Sequence, residues 1–317
     1  MLADKYGRTF KTLRVSLTRA CNLFCNYCTD QPASEKVPQP ESNVLSTKEY
    51  IKIINGLHTR LNLETVRLTG GEPLLYKDIS NLIEGIREVG IKNIKLTTNA
   101  VFLKEKAVPL KNAGITNINV SLDSLDPESF FKISKRRNLK KILEGIDHAL
   151  AIGIPVKLNT VVMKGMNTDQ ILPLLEFARE RSISIRFLEV MKMGHLHNSY
   201  QDLYFSQEEM LEKIAEQHQY IPMDREHGAT ATYWITDKKQ IFGVIANESH
   251  PFCGDCNRLR LDSYGNIYGC LSNDNGISIK DHPEDSLKLE YSLQQALLQK
   301  QEVQFAGSVM SMRYIGG

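Results

Sequence analysis

Leu13-Arg14-Val15-Ser16-Leu17-Thr18 runs into Arg19-Ala20-Cys21-Asn22-Leu23-Phe24-Cys25-Asn26-Tyr27-Cys28. The first six residues alternate apolar and polar, the period of a strand with two different faces. The next ten bring three thiols together, at spacings of three and two residues. Half of the six cysteines in the chain sit in this one loop. Three soft ligands on a short loop can hold a metal centre and leave one coordination position open. A structural zinc site wants a fourth ligand, and neither Cys nor His follows in the next twenty residues. The loop therefore reads as an iron–sulfur cluster site with one iron open to a small molecule. Zinc and a disulfide are the alternatives.

The alternation of Leu13–Thr18 returns along the chain. Thr65–Thr69, Asn93–Asn99, Asn117–Asp123, Val156–Met163 and Ile183–Val190 read as strands, with helical patterns between them. Ser46 is the N-cap of a helix from Thr47 to about Leu61, with Glu49 completing a capping box. Gly90, Gly114 and Gly153-Ile154-Pro155 stop later helices. Six strand–helix repeats predict a parallel sheet with right-handed crossovers. The expected fold is α/β, an incomplete (βα)6 TIM-type barrel with a C-terminal α+β extension.

Each of these strands has one polar face. Arg14, Ser16 and Thr18 share such a face, as do Arg67 and Thr69, and Lys95, Thr97 and Asn99. Asn119, Ser121 and Asp123, then Lys157 and Asn159, then Arg186 continue it. A parallel strand covered on both sides reads as continuous apolar sequence. The apolar face must therefore lie under the helices and the polar face must line the barrel interior. A polar face left in solvent is the alternative. Buried cations and amides are costly unless something satisfies them, so the interior is expected to hold a ligand.

From about Phe205 the pattern changes. A helix over Gln207–Gln217 precedes strand-like runs at Thr230–Ile235 and Gln240–Ala246, joined by Asp237-Lys238-Lys239. Cys253-Gly254-Asp255-Cys256 opens a second set of thiols, closed by Cys270. A helix near Leu293–Gln301 leads to the terminal Gly316-Gly317. Net charge is +2, so no global basic field points to nucleic acid. No apolar run is long enough for a membrane span, and Met1-Leu2-Ala3-Asp4-Lys5 lacks the apolar run of a signal peptide. A cytoplasmic, reducing location is expected, which disfavours disulfides.

Gly70-Gly71-Glu72-Pro73 follows the second strand, at the rim that carries the thiol loop. Two glycines allow close backbone approach, and Glu72 offers a carboxylate to an ammonium group. With Cys21, Cys25 and Cys28 and the aromatic Tyr27, this arrangement resembles the radical S-adenosylmethionine enzymes. The second set, with Arg258-Leu259-Arg260 and the Gly-Gly end, narrows the likeness. It is similar to the molybdenum cofactor biosynthesis protein A family, the GTP 3′,8-cyclases, from about Gly7 to the last residue.

That resemblance implies two [4Fe-4S] clusters, on Cys21, Cys25 and Cys28 and on Cys253, Cys256 and Cys270. Zinc with a non-Cys fourth ligand is the alternative for the second. It implies S-adenosyl-L-methionine against Tyr27, Gly71, Ser121 and Met191. It places GTP on Arg14, Arg67, Thr97, Lys157, Arg258, Leu259 and Arg260, and the inward register adds Arg186. Arg14, Arg258, Arg260 and the Gly316-Gly317 tail would act in catalysis, although a terminal Gly-Gly alone reads as a frayed end. A 5′-deoxyadenosyl radical would take the ribose 3′ hydrogen, and the product would be (8S)-3′,8-cyclo-7,8-dihydroguanosine 5′-triphosphate. The implied partners are GTP, an electron donor of flavodoxin or ferredoxin type, and cyclic pyranopterin monophosphate synthase as recipient. The likeness is also compatible with a homodimer.

The expected division is a radical S-adenosylmethionine partial barrel with the first cluster over residues 1–204. Residues 205–317 would carry the second cluster and the tail. A radical S-adenosylmethionine maturase acting on a peptide, with an auxiliary cluster, is the runner-up. A zinc-binding nucleic-acid module is the third reading. The chain departs from the family pattern at Arg19-Ala20, Thr29-Asp30 and Ala100.

Overall fold

The computed structural model describes residues 2–31, 33 and 41–316. Much of the polar segment before Leu45 lies outside them, and so does Gly317. Strand and helix alternate through β1 (Thr12–Ser16), α1 (Thr47–Leu61), β2 (Thr65–Thr69), α2 (Ile79–Glu88), β3 (Asn93–Thr98), α3 (Leu103–Ala113) and β4 (Asn117–Ser121). Two helices, α4 (Pro127–Ser134) and α5 (Leu139–Ala151), precede β5 (Val156–Val162). The series ends with α6 (Ile171–Glu180) and β6 (Ser184–Glu189). The expected capping box is present: Glu49 N–H donates to Ser46 Oγ at 3.3 Å, and Ser46 N–H donates to Glu49 Oε2 at 2.7 Å.

α4 is an addition to the sequence reading. Asp126 caps it by accepting from Ser129 N–H at 2.7 Å, and Pro127 fits its first turn. Its C-terminal end holds the thiol loop. Phe24 N–H donates to Ser134 O at 2.9 Å and Asn26 N–H to Ile133 O at 3.0 Å. The last carbonyls of a helix have no partner within it, and here the thiol loop satisfies two of them.

The second half adds α7 (Gln207–Ala215), β7 (Tyr220–Pro222), β8 (Thr232–Thr236), β9 (Ile241–Ile245), β10 (Arg258–Leu261), β11 (Asn266–Tyr268), β12 (Ile277–Ser278), α8 (Ser286–Leu298) and α9 (Met312–Ile315). The last long helix thus begins at Ser286 rather than near Leu293, capped by Asp285. Among the described residues the strands form one sheet of order β12-β11-β10-β1-β2-β3-β4-β5-β6-β9-β8-β7. β10 pairs parallel with β1, and β9 parallel with β6. The extension therefore continues the barrel sheet at both edges, across the expected 204/205 boundary.

The apolar strand face packs under the helices. Leu13, Val15, Val66, Leu68, Ile94, Leu96, Ile118, Val120, Leu158, Ile185 and Phe187 are fully buried in a single core. Burying a side chain of this size stabilises the fold by about 1.5–3 kcal/mol. That driving force sets the register: a slip of one residue would put the cations into the core.

Candidate active site

The opposite strand face lines a cavity of about 690 Å³. Thr12, Arg14, Arg67, Lys95, Thr97, Asn119, Ser121, Lys157, Asn159 and Arg186 reach its wall. A cavity lined by the polar side chains, rather than a face turned to solvent, is what the strand alternation produces. The register stacks the cations. Arg260, Arg14, Arg67 and Lys95 are successive neighbours across β10, β1, β2 and β3. Asn119 and Lys157 are neighbours across β4 and β5, and Asn159 and Arg186 across β5 and β6.

This cluster is electrostatically unfavourable as it stands. Burial, then Arg260, Arg258 and Arg67, hold the Arg14 guanidinium well below its ordinary pKa. Burial and Arg186 bring Arg67 down to about 10, and burial and Arg258 bring Arg260 to about 10. Burial and the neighbouring cations also lower Lys95 and Lys157. Among the described residues no carboxylate forms an ion pair with any of these five, nor with Arg186 or Arg258. Arg14 Nε and one terminal nitrogen of Arg186 are buried without a hydrogen-bond partner. A polyanion in the cavity would relieve both the repulsion and the missing bonds.

Arg186 Nε donates to Asn159 Oδ1 at 2.9 Å, and Arg67 donates weakly to Thr97 Oγ1 at 3.5 Å. Arg258 donates to the Gly228 carbonyl at 2.8 Å. Leu259 lies between Arg258 and Arg260 and turns the other way. Its side chain is fully buried in the core, so only its backbone remains for a ligand. Alternation along β10 imposes this.

Both thiol sets reach the cavity. Cys28, Cys253, Cys256 and Cys270 line it, and Cys21 and Cys25 pack against the core behind Cys28. All six are free thiols. Burial pushes Cys21 up to about 12 and Cys28 to about 11, and raises Cys25 well above its ordinary value, with Asp123 and the other two thiols adding to it. Among the described residues no three His, Cys, Asp or Glu side chains sit at single-ion spacing. A four-iron cluster carries each thiolate on a different iron and needs no such approach. Three mutually interacting thiols, with no fourth ligand among the described residues, suit a cluster that keeps one iron open, at both sites.

The loop after β2 holds the first thiol set in place. Gly71 N–H donates to Thr18 O at 2.7 Å, and Glu72 N–H to Ala20 O at 2.8 Å. A Cβ at Gly71 would fall 2.2 Å from the Ala20 carbonyl, so only glycine fits. Gly71 thus abuts the residues just before Cys21. The Glu72 carboxylate is not free for an ammonium group, contrary to its expected role. Thr98 Oγ1 at 2.6 Å and the N–H groups of Leu74 at 3.0 Å and Asn99 at 2.8 Å occupy it. It ties this loop to the end of β3, and burial pushes it up to about 7.

Tyr27, Ser121 and Met191 line the cavity. Tyr27 donates its hydroxyl to Asp123 Oδ2 at 2.9 Å, and Asp123 Oδ1 accepts from Val161 N–H at 2.9 Å. Burial raises Asp123 to about 6. Glu189, at the end of β6, accepts from Gln207, Glu248 and Ser249 N–H and from the hydroxyls of Tyr204 and Ser249. It knots β6 to the start of α7 and to the 246–250 loop. Neither carboxylate role was legible from motif spacing, although Asp123 stood on the polar face.

The chain from Ser311 to Gly316 is docked against the barrel. Ser311 Oγ donates to the Cys28 carbonyl at 3.0 Å. Arg260 donates to Ile315 O at 3.3 Å and also to Gly316 O. Gly316 has φ +74°, and a Cβ there would meet Thr69 Oγ1 at 1.9 Å and Ser16 Cβ at 3.4 Å. Arg19 holds this turn from outside, its guanidinium 4.4 Å from the rings of both Tyr264 and Tyr314. Two departures from the family pattern thus have consequences: Arg19 forms this clamp, and Ala100 sits at φ +62°, where glycine is favoured.

Residues 15–178 match the Radical SAM superfamily, and residues 183–305 match Molybdenum Cofactor Synthesis C. A GTP 3′,8-cyclase of Listeria monocytogenes serotype 4b is 39% identical over 307 residues, 95% of this chain and 91% of the relative. One from a Synechocystis species is 39% identical over 316 residues, 100% of this chain and 95% of the relative. The chain belongs to the GTP 3′,8-cyclase family, within the radical SAM superfamily. Streptococcus suis SuiB, solved bound to S-adenosylmethionine, superposes with a TM-score of 0.62 at 16% identity, covering 96% of this chain and 76% of that one. At that identity the likeness speaks for the fold alone. Membership of the superfamily brings S-adenosylmethionine and one four-iron cluster to this cyclase-family chain. No helix among the described residues is long and apolar enough to cross a membrane.

Proposed function

We propose that this chain converts GTP to (8S)-3′,8-cyclo-7,8-dihydroguanosine 5′-triphosphate, the first step of molybdenum cofactor biosynthesis. One observation carries the reading within the family. The row Arg260, Arg14, Arg67, Lys95 forms no ion pair among the described residues, Glu226 offsetting only the Lys95 end through space, and it shares its cavity with both thiol sets. A triphosphate supplies the missing charge, and guanidinium forks grip phosphate oxygens in pairs.

Cys21, Cys25 and Cys28 hold the first cluster and Cys253, Cys256 and Cys270 the second. The first supplies, when bound, the electron that opens S-adenosylmethionine to the 5′-deoxyadenosyl radical, which takes the ribose 3′ hydrogen. The chain's own part is positioning and the exclusion of water. Tyr27, Gly71, Ser121 and Met191 hold S-adenosylmethionine beside the first loop, with Asp123 fixing the Tyr27 ring. Arg14, Arg67, Thr97, Lys157 and Arg186 hold the triphosphate end of GTP. Arg258, Arg260 and the Leu259 backbone lie beside the second thiols, where the purine would face the second cluster. Arg14, Arg258, Arg260 and the terminal Gly316 and Gly317 act in the chemistry, with Gly316 held by Arg260. Residues 1–204 carry the radical generator, and residues 205–317 complete the GTP site.

A flavodoxin or ferredoxin type donor would supply electrons, and cyclic pyranopterin monophosphate synthase would take the product. The chain would work in the cytoplasm, where six free thiols stay reduced. The test is S-adenosylmethionine cleavage coupled to GTP consumption after anaerobic reconstitution. Coupling is the expected result. A chain inert to GTP that turns over a peptide would establish the maturase reading instead.

A further inference from the structure

The second thiol set has a neighbour that the proposed function does not use. Lys300 lies just beyond α8 and is 5% exposed. Its Nζ donates to Cys256 Sγ at 3.1 Å and to the Arg258 carbonyl at 3.1 Å. The Phe10 ring lies 5.0 Å from the same nitrogen. Among the described residues no carboxylate forms an ion pair with it. A buried ammonium is costly unless a counter-charge meets it. Among the described residues, the Cys256 sulfur is the one hydrogen-bond partner of Lys300 that can carry that charge.

The three thiols are therefore unequal. Of the three, it is Cys256 whose sulfur takes the lysine hydrogen bond. Cys270 Sγ accepts from Ser272 N–H at 3.5 Å. The placement of Lys300 is also braced. Arg8 donates to the carbonyls of Cys253 and Gln301, the latter at 2.9 Å, and pairs with Asp4 at 2.6 Å. One arginine thus links the thiol loop to the residue after Lys300.

We propose that Lys300 is a tuning and positioning residue for the second cluster: its bond to Cys256 Sγ raises that cluster's reduction potential and fixes Cys256 beside Arg258. The inference rests on the second-cluster reading given above. A hydrogen bond to a ligand sulfur withdraws electron density and favours the reduced cluster, whose extra negative charge the buried ammonium also attracts. Because Lys300 binds both the sulfur and the Arg258 carbonyl, the cluster ligand and a substrate cation share one anchor.

The experiment uses the full chain carrying C21S, C25S and C28S, reconstituted anaerobically, so that bound iron reports the second set alone. Iron is counted, and the cluster is titrated electrochemically with detection by electron paramagnetic resonance. A reference chain that binds no iron overturns the second-cluster reading, whatever Lys300 does. With the reference loaded, Lys300→Met is expected to load as well. Its midpoint should fall by at least tenfold in the oxidised-to-reduced ratio, about 59 mV for one electron. An unchanged midpoint overturns the proposal. Should the methionine variant bind no iron, Lys300→Arg decides. Loading with an unlowered midpoint supports a cationic role; failure to load, or a lowered midpoint, overturns it.

Discussion

Arg14 and Arg260 are direct neighbours across the parallel β1–β10 pair, and burial and their own repulsion weaken the Arg14 cation. β1 opens the barrel and β10 comes from the extension, so the substrate end of the cavity exists only where the two halves share a sheet. Two buried like charges, with no ion-pairing carboxylate among the described residues, are held there at a cost to the folded chain. That cost is returned when an anion binds.

Arg67→Met should therefore separate binding from stability. Charge-assisted hydrogen bonds to a phosphate are worth about 1.5–3 kcal/mol, so KM for GTP should rise roughly 10- to 100-fold. The ligand-free variant should melt no lower than the parent, because one member of a repelling cluster has gone. An unchanged KM would remove the cation row from the GTP site.

The Arg19 clamp predicts a tail mutant with an intact interior. Two cation–π contacts at a partly exposed site amount to about 1–2 kcal/mol together. Arg19→Ala should accelerate hydrogen exchange of Arg313 and Tyr314 amides and slow cyclisation, with both clusters loaded. Gly316→Ala should have the larger effect on cyclisation, since its Cβ would collide with Thr69. A fully active chain lacking Gly316-Gly317 would show that the docked tail has no part in turnover.

Glu72 predicts a pH dependence of folding. Burial raises its folded pKa from 4.5 to about 7, with the bonds from Thr98, Asn99 and Leu74 opposing the shift. The folded chain then holds a proton that the unfolded chain has released. Stability from this group is fully present below pH about 4.5 and is lost as pH rises toward about 7, by on the order of 3 kcal/mol. Urea midpoints measured across that range should fall for the parent. Glu72→Gln, which cannot ionise, should show a flatter profile; an equally steep one would assign the slope to other groups.

Ala100→Gly should stabilise the chain by about 1 kcal/mol, because Ala100 is held at φ +62° with no room to relax. Thermal unfolding of the reconstituted protein checks this, and a lower melting temperature would contradict it.

Much of this was legible along the chain because it is local. Polar–apolar alternation of period two can be counted within one strand, and it correctly separates Arg14, Arg67, Lys157 and Arg186 from the core residues beside them. α4 escaped that reading because Asp126-Pro127 also signals a turn and the helix has only eight residues. Leu259 escaped it because a run of motif residues does not say which ones face inward. Glu72 was read by its chemistry, yet its donors come from the end of β3.

By itself the sequence determined the thiol spacing, the strand–helix period and the inward face, since each depends on residues a few positions apart. Tertiary structure alone decided that β10 lies against β1, that Lys300 reaches Cys256, and that Gly316 rests on Ser16 and Thr69. Those contacts join segments far apart in the chain. They form because burying the apolar strand face selects one register, and that register also sets the polar side chains around the cavity.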